Sequence, residues 1–292
     1  MKKLYLAALL AGILVICSFL NVHAQNKLAF SVPFKLVDNR PFIEVKIKGK
    51  TLHLVLDCGA MNSLDLGAAK ALNLKLINGD MQSGAGAKKV QSWTARVDTA
   101  SFGSAKIINK NFIVADLSEI RIKLHLPYID GAIGYDFMKN YAVQFDYPKQ
   151  RINFYYTYKS ANPISYTLFW DQLPKINATI DGTHALLIFD TGDRTALTIF
   201  NHFAEKTGIT KRYVLSDNAI TGYGIGGPIF AQTLTLKQLV IGKNKIANVP
   251  SRIPTLKTGA FSATDIDGSI GGGVLKKYKF TIDYKNNKLY LE

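Results

Sequence analysis

The chain has 292 residues, of which 48% are hydrophobic and 20% charged, and this composition excludes a mainly disordered protein. A formal charge of +15 would permit binding to acidic surfaces. However, the basic residues occur as singles and pairs, without a basic run, zinc-finger spacing or aromatic RNA-binding box, so we expect no nucleic-acid partner. Two Cys and five scattered His exclude a disulfide framework and make a metal site unexpected. No cofactor is expected either.

The first 24 residues have the parts of a secretory signal. Two lysines follow the initial Met, residues 4–20 are apolar, and small side chains close the segment at Ala24. An uncleaved anchor is the alternative, but 17 apolar residues are short for a membrane span. We therefore predict a cleaved signal peptide over residues 1–24. The mature protein would be periplasmic or extracellular, without stable insertion into the membrane.

The chain repeats itself. Residues 38–59 align without a gap on residues 171–192, with 8 of 22 positions identical. Residues 129–155 align in the same way on residues 266–292, with 9 of 27 identical. Because the two blocks recur in the same order, the chain contains two copies of one unit rather than a solenoid of short repeats.

Each copy begins with a pattern typical of a β-hairpin. Ile43, Val45 and Ile47 alternate with polar residues, and the chain turns at Gly49 before an apolar strand that ends at Asp57. The second copy repeats this hairpin, and its return strand is apolar without alternation, as expected where both faces are covered. The pattern indicates a sheet with a buried face.

Helical stretches are few and short, and the best of them span residues 66–72 and 200–207. We predict an all-β fold of two tandem β-barrel-like repeats, with the boundary in the segment 157–165. The N-terminal lobe would comprise residues 25–160 and the C-terminal lobe residues 161–292.

Each copy ends its apolar strand with an acid, Asp57 in the first and Asp190 in the second. A carboxylate at the end of a buried strand is costly unless something satisfies or uses it. If the copies pack about a pseudo-twofold axis, the two acids meet with a water molecule between them. Like charges at close range cannot both ionise, so one acid would act as a base on the water and the other as an acid. A purely structural role, capping nearby backbone amides, is the alternative.

Four features, each present twice, resemble the pepsin and retropepsin superfamily of aspartic proteases, and most closely its exported bacterial retropepsin-like peptidases with two units in one chain. They are the strand ends Asp57-Cys58-Gly59 and Asp190-Thr191-Gly192, the glycine-rich tips Gly84-Ala85-Gly86 and Gly222-Tyr223-Gly224-Ile225-Gly226, the apolar-apolar-Gly elements 132–134 and 269–271, and the closing hairpins around Asp146 and Asp283.

The resemblance implies a bilobed β fold, with an extended peptide bound in the cleft between the lobes. It implies that Asp57 and Asp190 are catalytic, as in the aspartic-protease pair that shares one proton. The active-site loops would be completed by Cys58, Gly59, Thr191 and Gly192. The tips would be flaps over the substrate, carried by Gly84, Ala85 and Gly86 in one copy and by Gly222, Tyr223 and Gly224 in the other. One chain supplies both acids, so a monomer is expected.

Two residues depart from the family pattern. Cys58 stands where members have Thr or Ser, and its thiol is a weaker donor, which should loosen the grip between the lobes. Asp193 adds a carboxyl that would raise the pKa of the pair if it is ionised and not paired with Arg194. Three functions therefore remain open: an aspartic endopeptidase, an impaired module that binds extended peptides without efficient cleavage, and a small-ligand or carbohydrate binder built on tandem β-barrels.

Overall fold

The computed structural model describes residues 26–256 and 258–292. The signal peptide predicted at residues 1–24 lies outside the described residues, so export remains a prediction. In the part of the chain that is described, no helix has the length and apolarity needed to cross a membrane.

Strands make up most of both halves of the chain, and this confirms the predicted all-β class. The first half contains β1 (Lys27–Pro33), β2 (Lys35–Val37), β3 (Arg40–Ile47), β4 (Lys50–Leu56), β5 (Ser63–Asp65), β6 (Leu76–Gln82), β7 (Val90–Phe102), β8 (Ala105–Ala115), β9 (Gly131–Ile133), β10 (Ala142–Asp146) and β11 (Arg151–Thr157). The second half contains β12 (Ile164–Ser165), β13 (Thr167–Phe169), β14 (Leu173–Ile180), β15 (Thr183–Phe189), β16 (Leu197–Ile199), β17 (Ala219–Gly224), β18 (Gly227–Ile241), β19 (Asn244–Pro254), β20 (Gly268–Ile270), β21 (Lys279–Asp283) and β22 (Lys288–Leu291).

The described helices are short, as the sequence predicts. They are α1 (Leu66–Ala71), α2 (Ser118–Lys123), α3 (Tyr135–Met138), α4 (Asn201–Lys206), α5 (Ile209–Arg212) and α6 (Gly272–Leu275), with a 3₁₀ turn at Gly259–Ser262. Helices α1 and α4 fall on the two stretches expected to be helical. Asp65 caps α1 by accepting a hydrogen bond from the Ala68 amide, which satisfies one of the free N–H groups of its first turn.

Each lobe contains one eight-stranded sheet, and the two sheets have the same strand order. The order is β2-β3-β4-β9-β5-β8-β7-β6 in the first lobe and β13-β14-β15-β20-β16-β19-β18-β17 in the second. Every strand of one sheet thus has its repeat counterpart at the same place in the other sheet. The duplication seen in the sequence is a duplication of topology.

A third, six-stranded sheet joins the lobes, in the order β1-β11-β10-β21-β22-β12. Its central pair is β10 and β21, which run antiparallel with Gln144 opposite Thr281. Thr281 is the residue that the repeat alignment makes equivalent to Gln144, so the pseudo-twofold axis passes through this pair. The axis relates the two copies and fixes where their equivalent loops meet.

The strands that precede the two acids are covered on both faces. In β4, Leu54 and Leu56 are fully buried, and β9 pairs with this strand in parallel. The Asp57 amide continues that pairing by donating to the Ile133 carbonyl at 3.0 Å, and the Asp190 amide donates to the Ile270 carbonyl at the same distance. Each acid is therefore held at the end of a strand that the core locks in place.

Candidate active site

Asp57 and Asp190 face each other between the lobes. The two carboxyl groups lie within hydrogen-bonding reach of each other. Each also lies against the glycine of the opposite loop, Asp57 against Gly192 and Asp190 against Gly59, where any Cβ would overlap the carboxyl group. Glycine is required at both positions because only a chain without a side chain permits this approach. The structure thus brings the two predicted acids together.

Backbone amides of the same loops stabilise the carboxyl groups. The Gly59 amide donates to Asp57 Oδ1 at 2.7 Å, and the Gly192 amide donates to Asp190 Oδ1 at 2.8 Å. The second loop adds a longer bond of 3.3 Å from the Asp193 amide to the same oxygen of Asp190. These donors satisfy carboxyl oxygens that are partly removed from water.

The electrostatic surroundings of the two acids differ. Burial raises the pKa of Asp190 well above its ordinary value, and the charges of Asp57 and Asp193 raise it further. Burial also raises the pKa of Asp57, but the Gly59 amide and the positive charge of Arg40 oppose this increase. Since two adjacent carboxylates cannot both ionise cheaply, the pair retains one proton, and its favoured site is Asp190.

Below the acids, Cys58 and Thr191 each form hydrogen bonds to the opposite active-site loop, and together these bonds make up a grip between the loops. Thr191 Oγ1 accepts from the Cys58 amide and donates to the Leu56 carbonyl, both at 2.9 Å. Cys58 Sγ donates to the Phe189 carbonyl at 3.1 Å and accepts from the Thr191 amide at 3.3 Å. Burial raises the pKa of the thiol, so it stays protonated and can donate. All four contacts are present, and the loosening expected from Cys58 lies in the weaker thiol donor, not in a missing contact.

The extra carboxyl of Asp193 pairs with Arg252 and not with Arg194. It accepts hydrogen bonds from the amide and hydroxyl of Thr195 at 2.9 and 2.8 Å and from Ser269 Oγ at 3.0 Å. Burial alone would raise the pKa of Asp193, but the charge of Arg252 and these bonds hold it below its ordinary value. Asp193 is therefore ionised, and its charge raises the pKa of both acids of the pair.

Arg194 instead ties the second active-site loop to the first lobe. Its Nε donates to Asp38 Oδ2 at 2.6 Å, and Arg40 Nη2 donates to the same oxygen at 2.9 Å. The side chain of Asn39 adds a bond of 2.7 Å to the Arg194 carbonyl. Asp38, Asn39, Arg40 and Arg194 thus form an interlobe latch that was not predicted from the sequence. The sequence feature that indicates this latch is the presence of two charged residues, Arg40 and Arg194, in apolar segments close to Asp38 and Asp190.

The two predicted flaps meet above the acids. The first tip lies between β6 and β7, and its Gly86 amide donates to the Ile225 carbonyl of the second tip at 2.9 Å. The Lys88 amide donates to the Gly226 carbonyl at 3.1 Å. The tip of the second flap is a two-residue turn at Ile225-Gly226, so Gly222, Tyr223 and Gly224, predicted to lie at the tip, belong to the end of β17.

A cavity of about 420 Å³ lies between the acids and the flaps. Residues predicted for the site that line it are Asp57, Gly59, Asp190, Gly192, Gly84, Ala85, Gly222, Tyr223 and Gly224. Cys58 and Thr191 are fully buried, and Gly86 takes part in the contact between the flaps. Within residues 26–256 and 258–292, no group of three or more His, Cys, Asp or Glu side chains is placed to hold a metal ion.

The walls of the cavity are apolar in both lobes. The first-lobe wall includes Val55, Leu117, Ile120 and Ile129, and the second-lobe wall includes Ile188, Phe200, Ile229 and Phe261. Each flap tip packs on the wall of the opposite lobe: Ile225 joins the first-lobe cluster and Ala85 the second-lobe cluster. A ligand in the cavity would contact both lobes and both flaps.

Substitution of Cys58 tests the grip. Cys58→Thr should raise the free energy of unfolding by about 0.5–1.5 kcal/mol, because a hydroxyl donates more strongly than a thiol. Cys58→Val, which leaves the Phe189 carbonyl and the Thr191 amide without partners, should lower it by about 1–3 kcal/mol. Urea denaturation measures both changes. Thr191→Val is the matched control on the other loop and should also be destabilising; a Cys58→Val protein as stable as the parent would show that the thiol makes no useful contact.

The comparisons with known proteins concern the fold and the family. Residues 43–137 match the family model described as aspartyl protease. The aspartic proteinase from Irpex lacteus is similar in structure, with a TM-score of 0.55, 15% identity, and coverage of 89% of this chain and 96% of that chain. A retropepsin-like aspartic protease from Rickettsia conorii covers 44% of this chain and 87% of its own, at 24% identity and a TM-score of 0.32. No curated protein was found to match the chain.

The family match includes Asp57 and the first flap, and the fold shared with the Irpex lacteus enzyme extends over both lobes. The chain is therefore similar to aspartic proteases over residues 43–137, and it shares its bilobed, mainly β fold with the Irpex lacteus enzyme.

Proposed function

We propose that the protein is an aspartic endopeptidase that hydrolyses peptide bonds with a water molecule activated between Asp57 and Asp190. The observation that carries this proposal is the opposed pair of partly buried carboxyl groups under two closed flaps. The pair combines a group that can accept a proton and one that can donate a proton within reach of a single reacting carbonyl.

The difference in the surroundings of the two acids supports giving them different roles. Asp57 is ionised and takes a proton from the water, whose oxygen attacks the carbonyl carbon of the substrate. Asp190 is protonated and gives its proton to the carbonyl oxygen, which leaves a neutral tetrahedral diol. The proton on Asp57 then passes to the amide nitrogen and a diol proton returns to Asp190, so the C–N bond breaks to an acid and an amine. No covalent intermediate with the protein forms.

The substrate is an extended peptide. Residues of both lobes line the cavity. The flap strands β6 and β17 present edges of the kind that pair with an added strand. To admit such a peptide, the bonds between the flap tips must open. We also propose that the protein works as an exported monomer, because one chain contains both acids.

Removing either acid should abolish cleavage. We expect Asp57→Asn and Asp190→Asn each to reduce kcat/KM on unstructured peptides by about 10²–10⁴-fold, since each removes a proton-transfer group. Cleavage of a fluorogenic peptide library between acidic and neutral pH measures this loss. The matched control is Asp217→Asn, which changes an exposed acid and should be as active as the parent.

A stability measurement shows whether loss of activity reflects unfolding. The raised pKa of Asp190 means that the folded state loses stability as pH rises from the ordinary value of 3.8 through the folded-state pKa. Asp190→Asn removes this cost, so its thermal midpoint should exceed that of the parent at pH 7 and approach it below about pH 3.8.

Equal activity of all variants would contradict the proposal, and a parent that binds peptides without cleaving them would favour the non-catalytic module.

The charge of Asp193 should influence the pH dependence of activity. Asp193→Asn removes a negative charge that raises the pKa of both acids, and it leaves the positive charge of Arg252 unbalanced. Both limbs of the profile of kcat/KM against pH should therefore move to lower pH, the basic limb more than the acidic limb. Asp217→Asn should leave the profile in place. A basic limb that stays fixed or moves to higher pH would contradict the role assigned to Asp193.

Closure of the flaps can be tested at Gly86. A methyl group at this position would overlap the backbone of Gly226, so Gly86→Ala should separate the tips. We expect kcat/KM to fall by about 10²-fold through misplacement of the substrate, with little change in the thermal midpoint. Gly182→Ala, in a remote turn with a φ of +80°, is the control for a stability effect without a flap effect. Unchanged kcat/KM in Gly86→Ala would show that contact between the tips is not needed for turnover.

A further inference from the structure

Arg252 is a nearly buried cation in the wall of the cavity. It lies on β19, is 6% exposed, and its guanidinium group stands over the ring of Phe261 at 5.5 Å. Its Nε donates to Thr198 Oγ1 at 2.9 Å, but the described residues offer no hydrogen-bond acceptor to Nη1 or Nη2. The nearest carboxylate oxygen belongs to Asp193, at 3.7 Å from Nη2, which is too far for a hydrogen bond. Arg252 lines the cavity, so these donors are available to a ligand group that enters it.

Arg194 reaches the same part of the cavity. Measured from the point where a Cβ would stand on Gly222, Nη1 of Arg252 lies at 3.5 Å and Nη1 of Arg194 at 3.9 Å. Arg194 is about one third exposed, and its Nη1 also donates to the Thr221 carbonyl at 3.3 Å. Two guanidinium groups thus converge beneath the second flap, at a residue whose lack of a side chain leaves the space open.

The neighbouring carboxylates do not saturate these cations. Asp193 is engaged by Thr195 and Ser269, and Asp38 is shared between Arg194 and Arg40. Three arginines, Arg40, Arg194 and Arg252, therefore line the cavity. Outside the catalytic pair, two carboxylates, Asp38 and Asp193, balance part of their charge. The remaining negative charge of the catalytic pair is used in the reaction. A nearly buried cation without a full complement of acceptors is costly, and an anionic ligand group would lower that cost.

The first lobe has no counterpart of this cluster. In the second lobe, Arg252 pairs with Thr198 in the register of β16 and β19. In the first lobe, the equivalent pair of β5 and β8 is Ser63 and Ile113. The repeat alignment also places Met61 at the position equivalent to Arg194. Arg252 and Arg194 therefore have no counterpart in the first lobe, whose arginine in the cavity wall, Arg40, is paired with Asp38.

We propose that the second-lobe side of the cleft, between Arg252 and Arg194, binds a carboxylate of the substrate. The carboxylate is either an acidic side chain on one side of the cleaved bond or the C-terminal carboxylate of the peptide. A planar carboxylate matches the paired N–H donors of a guanidinium group, and the apolar walls bind the neighbouring side chains. The inference deepens the proposed function and rests on it for cleavage, whereas binding can be tested without cleavage.

Paired peptides test the preference and its source. In one arm, a single Glu is moved through each position around the cleaved bond and compared with Gln at the same position. In the other arm, peptides with a free C-terminus close to the cleaved bond are compared with the amidated forms. We expect a preference in kcat/KM of about 10- to 100-fold for the carboxylate in one arm and at a restricted set of positions, as for a hydrogen bond between charged groups.

Three variants connect the preference to the cluster. Arg252→Gln should bring the ratio of the two peptides close to one, and Arg194→Gln should reduce it. Arg151→Gln, which changes an exposed arginine of the interlobe sheet, should keep the ratio of the parent. If the nearly buried Arg252 cannot be replaced without unfolding, Arg194→Gln carries the test, since that side chain is more exposed.

Binding of the same peptides to the Asp190→Asn protein, measured by calorimetry, separates this inference from the proposed function. Cleavage by the parent with equal rates in both arms overturns the inference and leaves the endopeptidase intact. An absence of cleavage, together with tighter binding of the carboxylate peptide that Arg252→Gln abolishes, overturns the endopeptidase and supports the carboxylate site. No carboxylate preference in either measurement, or a preference in Arg252→Gln and in Arg194→Gln as large as that of the parent, overturns the inference.

Discussion

Two partly buried carboxyl groups each lie against the glycine of the opposite active-site loop, and the rest of the structure keeps them there. Isolated buried charges cost several kcal/mol each, so the contact between Asp57 and Asp190 is stable only with a shared proton and with amide donors in place. Three features hold the two acids in this position: the strands that end in them, the grip of Cys58 and Thr191, and the interlobe sheet. Its position on the pseudo-twofold axis follows because only residues near the axis can meet their own repeat counterparts.

The two copies differ in the charged residues near the catalytic pair. Asp193 and Arg194 occupy positions held by Ala60 and Met61 in the first copy, and Arg252 stands where the first copy has Ile113. Because the added groups lie beside Asp190, the symmetric backbone carries an asymmetric field, which favours the proton on one acid of the pair. The same asymmetry places Arg252 and Arg194 on the second-lobe side of the cavity. Duplication supplied the geometry of the pair, and divergence differentiated its two halves.

The flaps connect the lobes above the acids as the grip connects them below. Each tip packs on the apolar wall of the opposite lobe and bonds to the other tip through its backbone, and the Ala260 amide adds a bond of 3.0 Å to the Gly84 carbonyl. An extended ligand must break these contacts to enter, and it can replace them with bonds to the exposed strand edges. Opening of the flaps is therefore a step that any peptide-binding function of this fold requires.

Some of this architecture was predictable from the chain itself, because alternation and self-similarity are local or linear properties. The hairpin up to Asp57, the positions of α1 and α4, the duplicated unit and the two acids are all of this kind. The partners of Asp38, Arg252 and the flap tips are not, since they depend on strand register and on how one lobe sits against the other. The linear order of residues thus determined which acids are equivalent and that they end buried strands. Only the folded chain decided that Asp193 pairs with Arg252 and Arg194 with Asp38, because electrostatic partners are chosen by distance in space and these lie on different strands and lobes.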